Sequence, residues 1–217
     1  MYLSRMELDL TKRETMKALA SPNLFHGAVE HAFPIPDPDK RKRNLWRIDT
    51  LRGKTYLMIL SEEKPELSRA LAQFGQEANV PGWETLDYTP LLDRISAGSR
   101  WHFRLNANPV KAVKAKDGER DSRGTVCAHV TVDQQLAWLA EHAEKNGFSL
   151  NDGEYTVVRS EWLRFCKGAE RAKPVTIRSV TFEGILTVTD AALFRGALTA
   201  GIGKGKAFGL GLLTVAR

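Results

Sequence analysis

The apolar and polar positions of residues 2–88 follow two periods in turn, two residues for strands and about 3.6 for helices. Residues 2–10 alternate as a half-buried strand does, and residues 25–32 carry apolar side chains at helical spacing after a predicted cap at Ser21-Pro22. The elements predicted next are strands at Asn44–Thr50 and Thr55–Ser61 around a turn at Leu51–Lys54, a helix at Pro65–Phe74 and a strand at Trp83–Tyr88. The predicted order is therefore β-α-β-β-α-β.

The rest of the chain is predicted to repeat this order, although the two halves share no visible sequence similarity. The predicted elements are a strand at Arg100–Asn106, a basic loop at Lys111–Arg123, a helix after a capping box at Thr131 and Gln134, strands at Tyr155–Phe165 and Pro174–Thr187 around a hairpin tip at Cys166–Lys173, a helix from Asp190 to Thr199, and a strand at Leu212–Ala216. Two such units predict an α+β protein of two tandem ferredoxin-like domains, RRM-like in topology. We expect an N-terminal domain at residues 1–90 and a C-terminal domain at residues 98–217.

The charge of the chain is unevenly distributed. The sequence has 217 residues, of which 42% are hydrophobic and 27% charged, and this composition excludes wholesale disorder. The net charge is +6, and residues 195–217 contain four bases and no acid. Basic residues gathered in the C-terminal half favour a polyanionic partner such as a nucleic acid. The alternative is a generally basic protein without such a partner.

The sequence favours a cytoplasmic protein. No run of apolar residues is long enough to cross a membrane as a helix, and the first residues lack the apolar segment of a signal peptide. The two cysteines, Cys127 and Cys166, are expected to be reduced thiols. No Cys/His spacing typical of a zinc site is present.

His26 is the candidate for proton transfer. His26 and His31 lie five residues apart on the predicted helix, which separates their side chains by about 140° and argues against a shared metal ion. His26 follows the predicted helix start, where an imidazole that titrates near neutrality has access to a neighbouring cleft. A histidine with a purely structural role is the alternative.

The segment Gly201–Gly211, called the glycine loop below, contains five glycines and is the strongest local signal. Its backbone can approach a phosphate closely, and Gly203, Lys204 and Lys206 are the predicted contacts. The loop matches neither a Walker A motif nor a dinucleotide-binding fingerprint. Alternatively, its glycines only permit tight packing between a helix and a strand.

Two further segments carry groups suited to phosphate, ribose or base edges. The predicted RNA-binding residues are Arg104, Asn106, Asn108 and Lys111 in the first segment and Arg164, Lys167, Arg171 and Lys173 in the second, a hairpin. A solvated surface without RNA is the alternative for both segments.

Several of these motifs together resemble the CasE family, the CRISPR repeat-RNA endoribonucleases of type I-E systems in the RAMP superfamily. The resemblance rests on Met1–Arg5, Ser21-Pro22 with His26, Leu45–Ile48, Phe103–Leu105 with Ala107–Pro109 and Lys111, Val180 with Phe182–Gly184 and Leu186, and the glycine loop with the residues through Leu213. These matches run in order along the whole chain. The glycine loop is typical of the superfamily, whereas its combination with the other segments is specific to the family.

The resemblance implies two tandem ferredoxin-like domains and a metal-independent nuclease that cuts precursor CRISPR RNA at the 3′ base of each repeat hairpin. It implies attack of a ribose 2′-OH on the adjacent phosphate, with His26 as general base or general acid. A basic residue of the family falls on His31. Some members have a tyrosine where this chain has Asn23, which cannot transfer a proton. The family also implies no cofactor, retention of the RNA product and assembly with other Cas proteins in the Cascade complex.

Two other functions use similar folds. A non-cleaving, hairpin-binding subunit of the same superfamily would keep the glycine loop and cut no RNA. An RRM-like binder of single-stranded RNA would carry aromatic residues at fixed positions on its sheet, a pattern that we do not find in this sequence.

Overall fold

A computed structural model describes residues 1–34, 43–76, 82–113, 125–166 and 174–217. Helices and antiparallel strands alternate along the chain, so the protein has a mixed α+β fold. Its two larger sheets divide the chain into an N-terminal half and a C-terminal half. Across the described ranges, no helix is long and apolar enough to cross a membrane.

The N-terminal half forms a four-stranded antiparallel sheet with the strand order β2-β3-β1-β4. Its elements are β1 Tyr2–Glu7, α1 Arg13–Ala20, α2 Asn23–Glu30, β2 Leu45–Leu51, β3 Lys54–Ser61, α3 Ser68–Phe74 and β4 Trp83–Asp87. Helix α4, Thr89–Asp93, follows and leads toward the second half. The predicted turn between β2 and β3 is confirmed: Arg52 and Gly53 both have positive φ, as a two-residue hairpin of the tight type requires.

The C-terminal half forms a second antiparallel sheet, in which β11, β5, β10 and β9 lie side by side. Its elements are β5 Arg100–Ala107, β6 Val110–Val113, β7 Thr125–Ala128, α5 Val132–Lys145, β8 Phe148–Ser149, β9 Tyr155–Cys166, β10 Pro174–Val188, α6 Ala191–Ala200, a 3₁₀ turn at Lys206–Phe208, and β11 Leu213–Ala216. The predicted capping box at Thr131 and Gln134 is confirmed, and the Asp190 carboxylate accepts hydrogen bonds from two backbone N–H groups of α6.

Several predicted elements are wrong in extent. Helix α1 was not predicted, because only Thr15 and Ala18 of its residues are buried. Helix α2 begins at Asn23 without a side-chain cap, so the predicted cap at Ser21 is wrong. The basic loop predicted to start at Lys111 instead starts as strand β6, which pairs with β7 in a separate ribbon.

Each half has its own apolar core. The largest buried side chains of the N-terminal core include Phe25, Trp46 and Phe74, whose rings are in contact. The C-terminal core is built around Trp138 and Phe182 between α5 and the sheet. A smaller cluster joins the halves, because residues of β2 and β3 pack against Tyr88 and Leu212. Helix α2 and the glycine loop meet near this junction.

Candidate functional site

The helix that carries His26 packs against the 3₁₀ turn Lys206–Phe208 of the glycine loop. Phe25 and Val29 are buried in the N-terminal core and fix one face of α2. His26 lies outside this buried stripe, and 36% of its side chain is exposed. The fold therefore brings together two features that are far apart in the sequence, the candidate histidine helix and the glycine loop.

The His26 ring lies beside an acidic residue of its own helix. Its Nδ1 atom is 3.9 Å from Oε1 of Glu30, one helical turn further on. This distance is too long for a hydrogen bond but short enough for electrostatic attraction to a protonated ring.

Asn23 is the first residue of α2 and shares a helix face with His26. The hydroxyl of Ser21 donates a hydrogen bond of 2.7 Å to Oδ1 of Asn23. This bond occupies the carbonyl oxygen of the Asn23 amide, and the NH₂ group is the part of the side chain that can donate to a ligand. Asn23 can therefore orient a neighbouring group, and it has no proton to transfer near neutral pH.

His31 lies at the carboxyl end of α2 and is exposed. Its Nδ1 lies 2.6 Å from the carbonyl oxygen of Gly27, which can only accept, so Nδ1 carries the proton. The other ring nitrogen, Nε2, then gains a proton only when the ring becomes positively charged.

The glycines of the glycine loop are required by close packing. A Cβ atom at Gly201 would lie 2.9 Å from the Leu45 side chain, and one at Gly209 would lie 2.7 Å from the Trp46 ring. A Cβ atom at Gly203 would lie 3.2 Å from the ring of Trp138. These contacts support the packing interpretation of the loop. Access of the loop backbone to phosphate stays a prediction.

The two lysines of the loop have different surroundings. Lys204 is exposed, and its backbone pairs with that of Asn108 in an isolated bridge. Lys206 donates a hydrogen bond of 2.6 Å from Nζ to the carbonyl of Ala200. Burial, and then repulsion from Arg43, lowers the pKa of Lys206. Lys204 is therefore the loop cation that is exposed to solvent, whereas Lys206 holds the loop to the end of α6.

Arg104 and Asn106 line a cleft of about 700 Å³ between the two halves. Pro22, just before α2, and Phe25 of α2 line the same cleft. The Nε atom of Arg104 lies 2.9 Å from Oε1 of Glu183. The Oδ1 atom of Asn106 accepts a hydrogen bond of 3.0 Å from Ser179. Protein groups thus contact both predicted RNA-binding side chains.

The other predicted RNA contacts also belong to the C-terminal half. Lys111 of β6 and Arg164 of β9 are exposed. On β9, the exposed ring of Trp162 lies next to Arg164 and carries the guanidinium of Arg178 at 5.1 Å. Asn108 is half-buried, and its Oδ1 finds no partner among the described groups. Three predicted residues fall outside the described ranges, namely Lys167, Arg171 and Lys173.

The part of the chain that the structure describes contains no group of three or more His, Cys, Asp or Glu residues that could hold a metal ion. Arg47 and Asp49 of β2 form a buried pair that was not predicted. The sequence does contain a signal for this pair, because the two opposite charges lie two residues apart in a strand that is otherwise largely apolar.

Comparison with known proteins identifies relatives that extend over the whole chain. The family model described as "CRISPR associated protein" matches residues 1–217. The chain is 30% identical to the CRISPR-associated endoribonuclease Cse3 of Thermus thermophilus, with 100% of both chains covered. It is 26% identical to the Cascade subunit CasE of Escherichia coli, with 88% of this chain and 90% of the relative covered.

Solved structures agree with this result. A structure of the CRISPR endoribonuclease Cse3 bound to a 19-nucleotide RNA matches with a TM-score of 0.83 and 29% identity over 100% of both chains. A Thermus thermophilus Cse3 structure with an RNA that represents a pre-cleavage complex matches with a TM-score of 0.77 and 27% identity, covering 100% of this chain and 98% of the other. The chain belongs to the family of CRISPR-associated proteins, among its Cse3 and CasE members.

Proposed function

We propose that this protein is an endoribonuclease that cuts precursor CRISPR RNA at the 3′ base of the repeat hairpin. One relative that covers the whole chain is named an endoribonuclease, another that covers 88% of it is named a Cascade subunit, and similar structures of Cse3 hold RNA. The observation that carries the proposal is the packing of α2 against the glycine loop. This packing puts a partly exposed histidine and an exposed lysine on adjoining elements.

We further infer that the two halves are ferredoxin-like domains at residues 1–90 and 98–217. The strand order is β2-β3-β1-β4 in the N-terminal half and β9-β10-β5-β11 in the C-terminal half. When these four strands of each half are numbered along the chain, both orders read 2-3-1-4. Both halves therefore have the same antiparallel arrangement. Helix α4 falls in the segment between the two domains.

In the proposed reaction, the 2′-OH of the scissile nucleotide attacks the neighbouring phosphorus. The O2′–P bond forms and the P–O5′ bond breaks, which leaves a 2′,3′-cyclic phosphate and a 5′-OH. The proton of the 2′-OH goes to a base, and an acid delivers a proton to the departing O5′. His26 serves as one of these two groups, because imidazole is the side chain that most often transfers protons in enzymes and the His26 ring is partly exposed.

Negative charge builds up on the phosphate as the reaction proceeds, so the site benefits from fixed positive charge. Lys204 supplies such a charge from the glycine loop, and His31, exposed at the end of α2, is the second group that we assign to this role. Asn23 orients the phosphate or the imidazole through its NH₂ group. The chain thus needs no metal ion for the proposed reaction.

The proposed RNA contacts outside this site lie on the C-terminal half. Lys111 and Arg164 are exposed and can reach phosphates along a duplex stem. Lys167, Arg171 and Lys173 extend the same set in the proposal. After cleavage, in this proposal, the protein keeps its hairpin product. It then serves as a subunit of the Cascade complex, and the CasE relative is named as such a subunit.

The test uses a labelled repeat hairpin from the CRISPR array of the source organism, with enzyme in excess and EDTA present. We expect one cut at the base of the stem, with a 2′,3′-cyclic phosphate and a 5′-OH on the products. A hairpin with a 2′-deoxy scissile nucleotide is the matched control, and it should bind but remain uncut. Activity that requires a divalent ion, or equal cutting of the deoxy hairpin, would contradict the mechanism.

A non-cleaving RNA-binding subunit is the second candidate, and the replacement of the family tyrosine by Asn23 favours it. It predicts tight binding of the hairpin and no cutting at any enzyme concentration. An Asn23→Tyr variant separates the two functions, because it should speed up an active enzyme but start no reaction in a binding subunit that lacks the other groups.

A further inference from the structure

Strand β2 lies at the edge of the N-terminal sheet and faces the C-terminal half. Leu45, Trp46 and Arg47 at its start are each at most 2% exposed. Three consecutive buried residues mean that this strand is covered on both faces. The cover comes partly from the glycine loop.

Arg47 uses all of its hydrogen-bond donors inside the protein. Its Nε and Nη2 atoms donate to the Asp49 carboxylate at 2.5 to 3.0 Å. Its Nη1 atom donates to the carbonyls of Arg104 at 3.0 Å and Leu212 at 2.7 Å, and Nη2 also reaches the Thr214 hydroxyl at 2.8 Å. An arginine with five satisfied donors has none left for RNA.

The groups that Arg47 holds lie at the base of the glycine loop. Leu212 directly follows the loop, and the N–H of Gly211 at its end donates to the carbonyl of Asn106, two residues beyond Arg104. Arg47 therefore bonds to the start of β11, into which the loop leads, and to β5, with which β11 pairs, and it does so from the other half of the molecule.

Trp46 connects the same loop to helix α2. One part of its indole lies against Gly209, where a Cβ atom would come within 2.7 Å. The centre of its ring system is 5.9 Å from that of Phe25, the residue before His26. A single rigid side chain thus lies between the histidine helix and the loop, so it sets the spacing of the two.

We infer that Trp46 and Arg47 are positioning residues, which hold the glycine loop at a fixed distance from α2. This inference rests on the proposed function, since it assigns the two residues to the geometry of that reaction. A shift of about 1 Å between reacting groups can cost about 100-fold in rate. Loss of the Arg47 contacts should therefore slow cleavage even where RNA is fully bound.

The test compares wild type with Arg47→Lys, Trp46→Phe and Arg195→Lys. Lysine keeps the positive charge at position 47. It lacks the planar guanidinium group that reaches Asp49 and the carbonyls of Arg104 and Leu212 at the same time. Arg195 is a matched control, because it also holds separate parts of the chain together, with bonds from α6 of 2.8 Å to the carbonyl of Leu92 and 2.7 Å to that of Ile95, both in the segment between the two halves. It contacts neither α2 nor the glycine loop in these bonds.

Two measurements are made on each protein, below its melting temperature. The first is hydrogen exchange of residues 201–212 without RNA. The second is the single-turnover cleavage rate at saturating enzyme, together with the Kd of the uncut deoxy hairpin. For Arg47→Lys we expect faster exchange in the loop, a cleavage rate lower by about 100-fold and an unchanged Kd. Trp46→Phe should change the rate in the same direction, and Arg195→Lys should leave the exchange, the rate and the Kd at wild-type values.

The outcomes separate this inference from the proposed function. If wild type binds the hairpin without cutting it, the nuclease proposal fails, and exchange alone then decides whether Arg47 holds the loop. In that case, the inference would be overturned if residues 201–212 of Arg47→Lys exchanged hydrogen at the same rate as in wild type. If wild type cuts, equal saturated rates for Arg47→Lys and Arg195→Lys would overturn it while the nuclease proposal stands.

Discussion

The cleft between the two halves and the edge formed by α2 and the glycine loop use charge in opposite ways. In the cleft, Arg47 and Asp49 are 2% and 5% exposed and satisfy each other. At the edge, the His26 side chain is 36% exposed and Lys204 points into solvent. Charges that are satisfied by the protein hold its halves together. Charges that are presented to solvent are the ones that the proposed function assigns to RNA.

The largest expected effect tests the cleft. Asp49→Ala removes the partner of a buried guanidinium, and such a change should cost about 3 to 5 kcal/mol of unfolding free energy. Glu84→Ala is the matched control, since Glu84 pairs with Arg5 at 2.8 Å on the surface. That exposed pair should contribute at most about 1 kcal/mol. Urea denaturation of both variants measures the difference. Equal losses of unfolding free energy would contradict the claim that the buried pair contributes more than the exposed pair.

A second prediction concerns pH and the junction of the two halves. Burial raises the pKa of Tyr88 to about 12, and its hydroxyl has no hydrogen-bond partner among the described groups. The folded protein therefore keeps this proton at a pH where the unfolded chain, with a pKa near 10, has lost it. Stability should be unaffected below pH 10 and should fall as pH rises from 10 to 12, by up to about 2.7 kcal/mol.

The control for this prediction is Tyr88→Phe, which removes both the titration and the unpartnered hydroxyl. At pH 7 this variant should unfold with the same or a slightly higher free energy than wild type. The difference in stability between the two proteins should grow in favour of phenylalanine above pH 10. A constant difference from pH 8 to 12 would refute burial of the Tyr88 hydroxyl.

The smallest expected effect distinguishes the two lysines of the glycine loop. Lys204→Met should lower the salt dependence of hairpin binding by about 0.7 to 0.9 in slope, the value of one lost phosphate contact. Lys206→Met should leave the slope unchanged, because Lys206 is bound to the carbonyl of Ala200. Titrations of the deoxy hairpin over a range of salt concentrations measure both slopes. A larger change for Lys206 than for Lys204 would reverse their proposed roles.

The sequence was sufficient to predict the order of elements where the apolar pattern was strong. The alternation in β1, the capping box of α5 and the Asp190 cap of α6 are local signals, and the structure confirms them. Helix α1 escaped prediction because few of its side chains are buried. The ribbon of β6 and β7 escaped because its short strands are mostly exposed and follow no clear pattern of burial.

The candidate site could be predicted only in part, for a different reason. His26 and the glycine loop were identifiable from local motifs, whereas their packing against each other depends on the tertiary fold. Arg104 stays a predicted RNA contact, and the sequence alone did not indicate that it faces Glu183 across the β5–β10 pairing. The partners of Arg47 include Leu212 and Thr214, which lie at the far end of the chain. Such long-range pairs leave no signature in a single sequence.

The most direct test of this account is a comparison of His26→Ala with His102→Ala. His102 is an exposed histidine on β5, in the sheet of the C-terminal half. Both variants are assayed at saturating enzyme in EDTA, with the Kd of the deoxy hairpin measured alongside. We predict that His26→Ala lowers the cleavage rate by about 10² to 10⁴-fold, the usual contribution of a general acid or base, and leaves the Kd unchanged. His102→Ala should behave as wild type. Wild-type cleavage by His26→Ala would contradict the central claim that the histidine on α2 carries the proton in RNA cleavage.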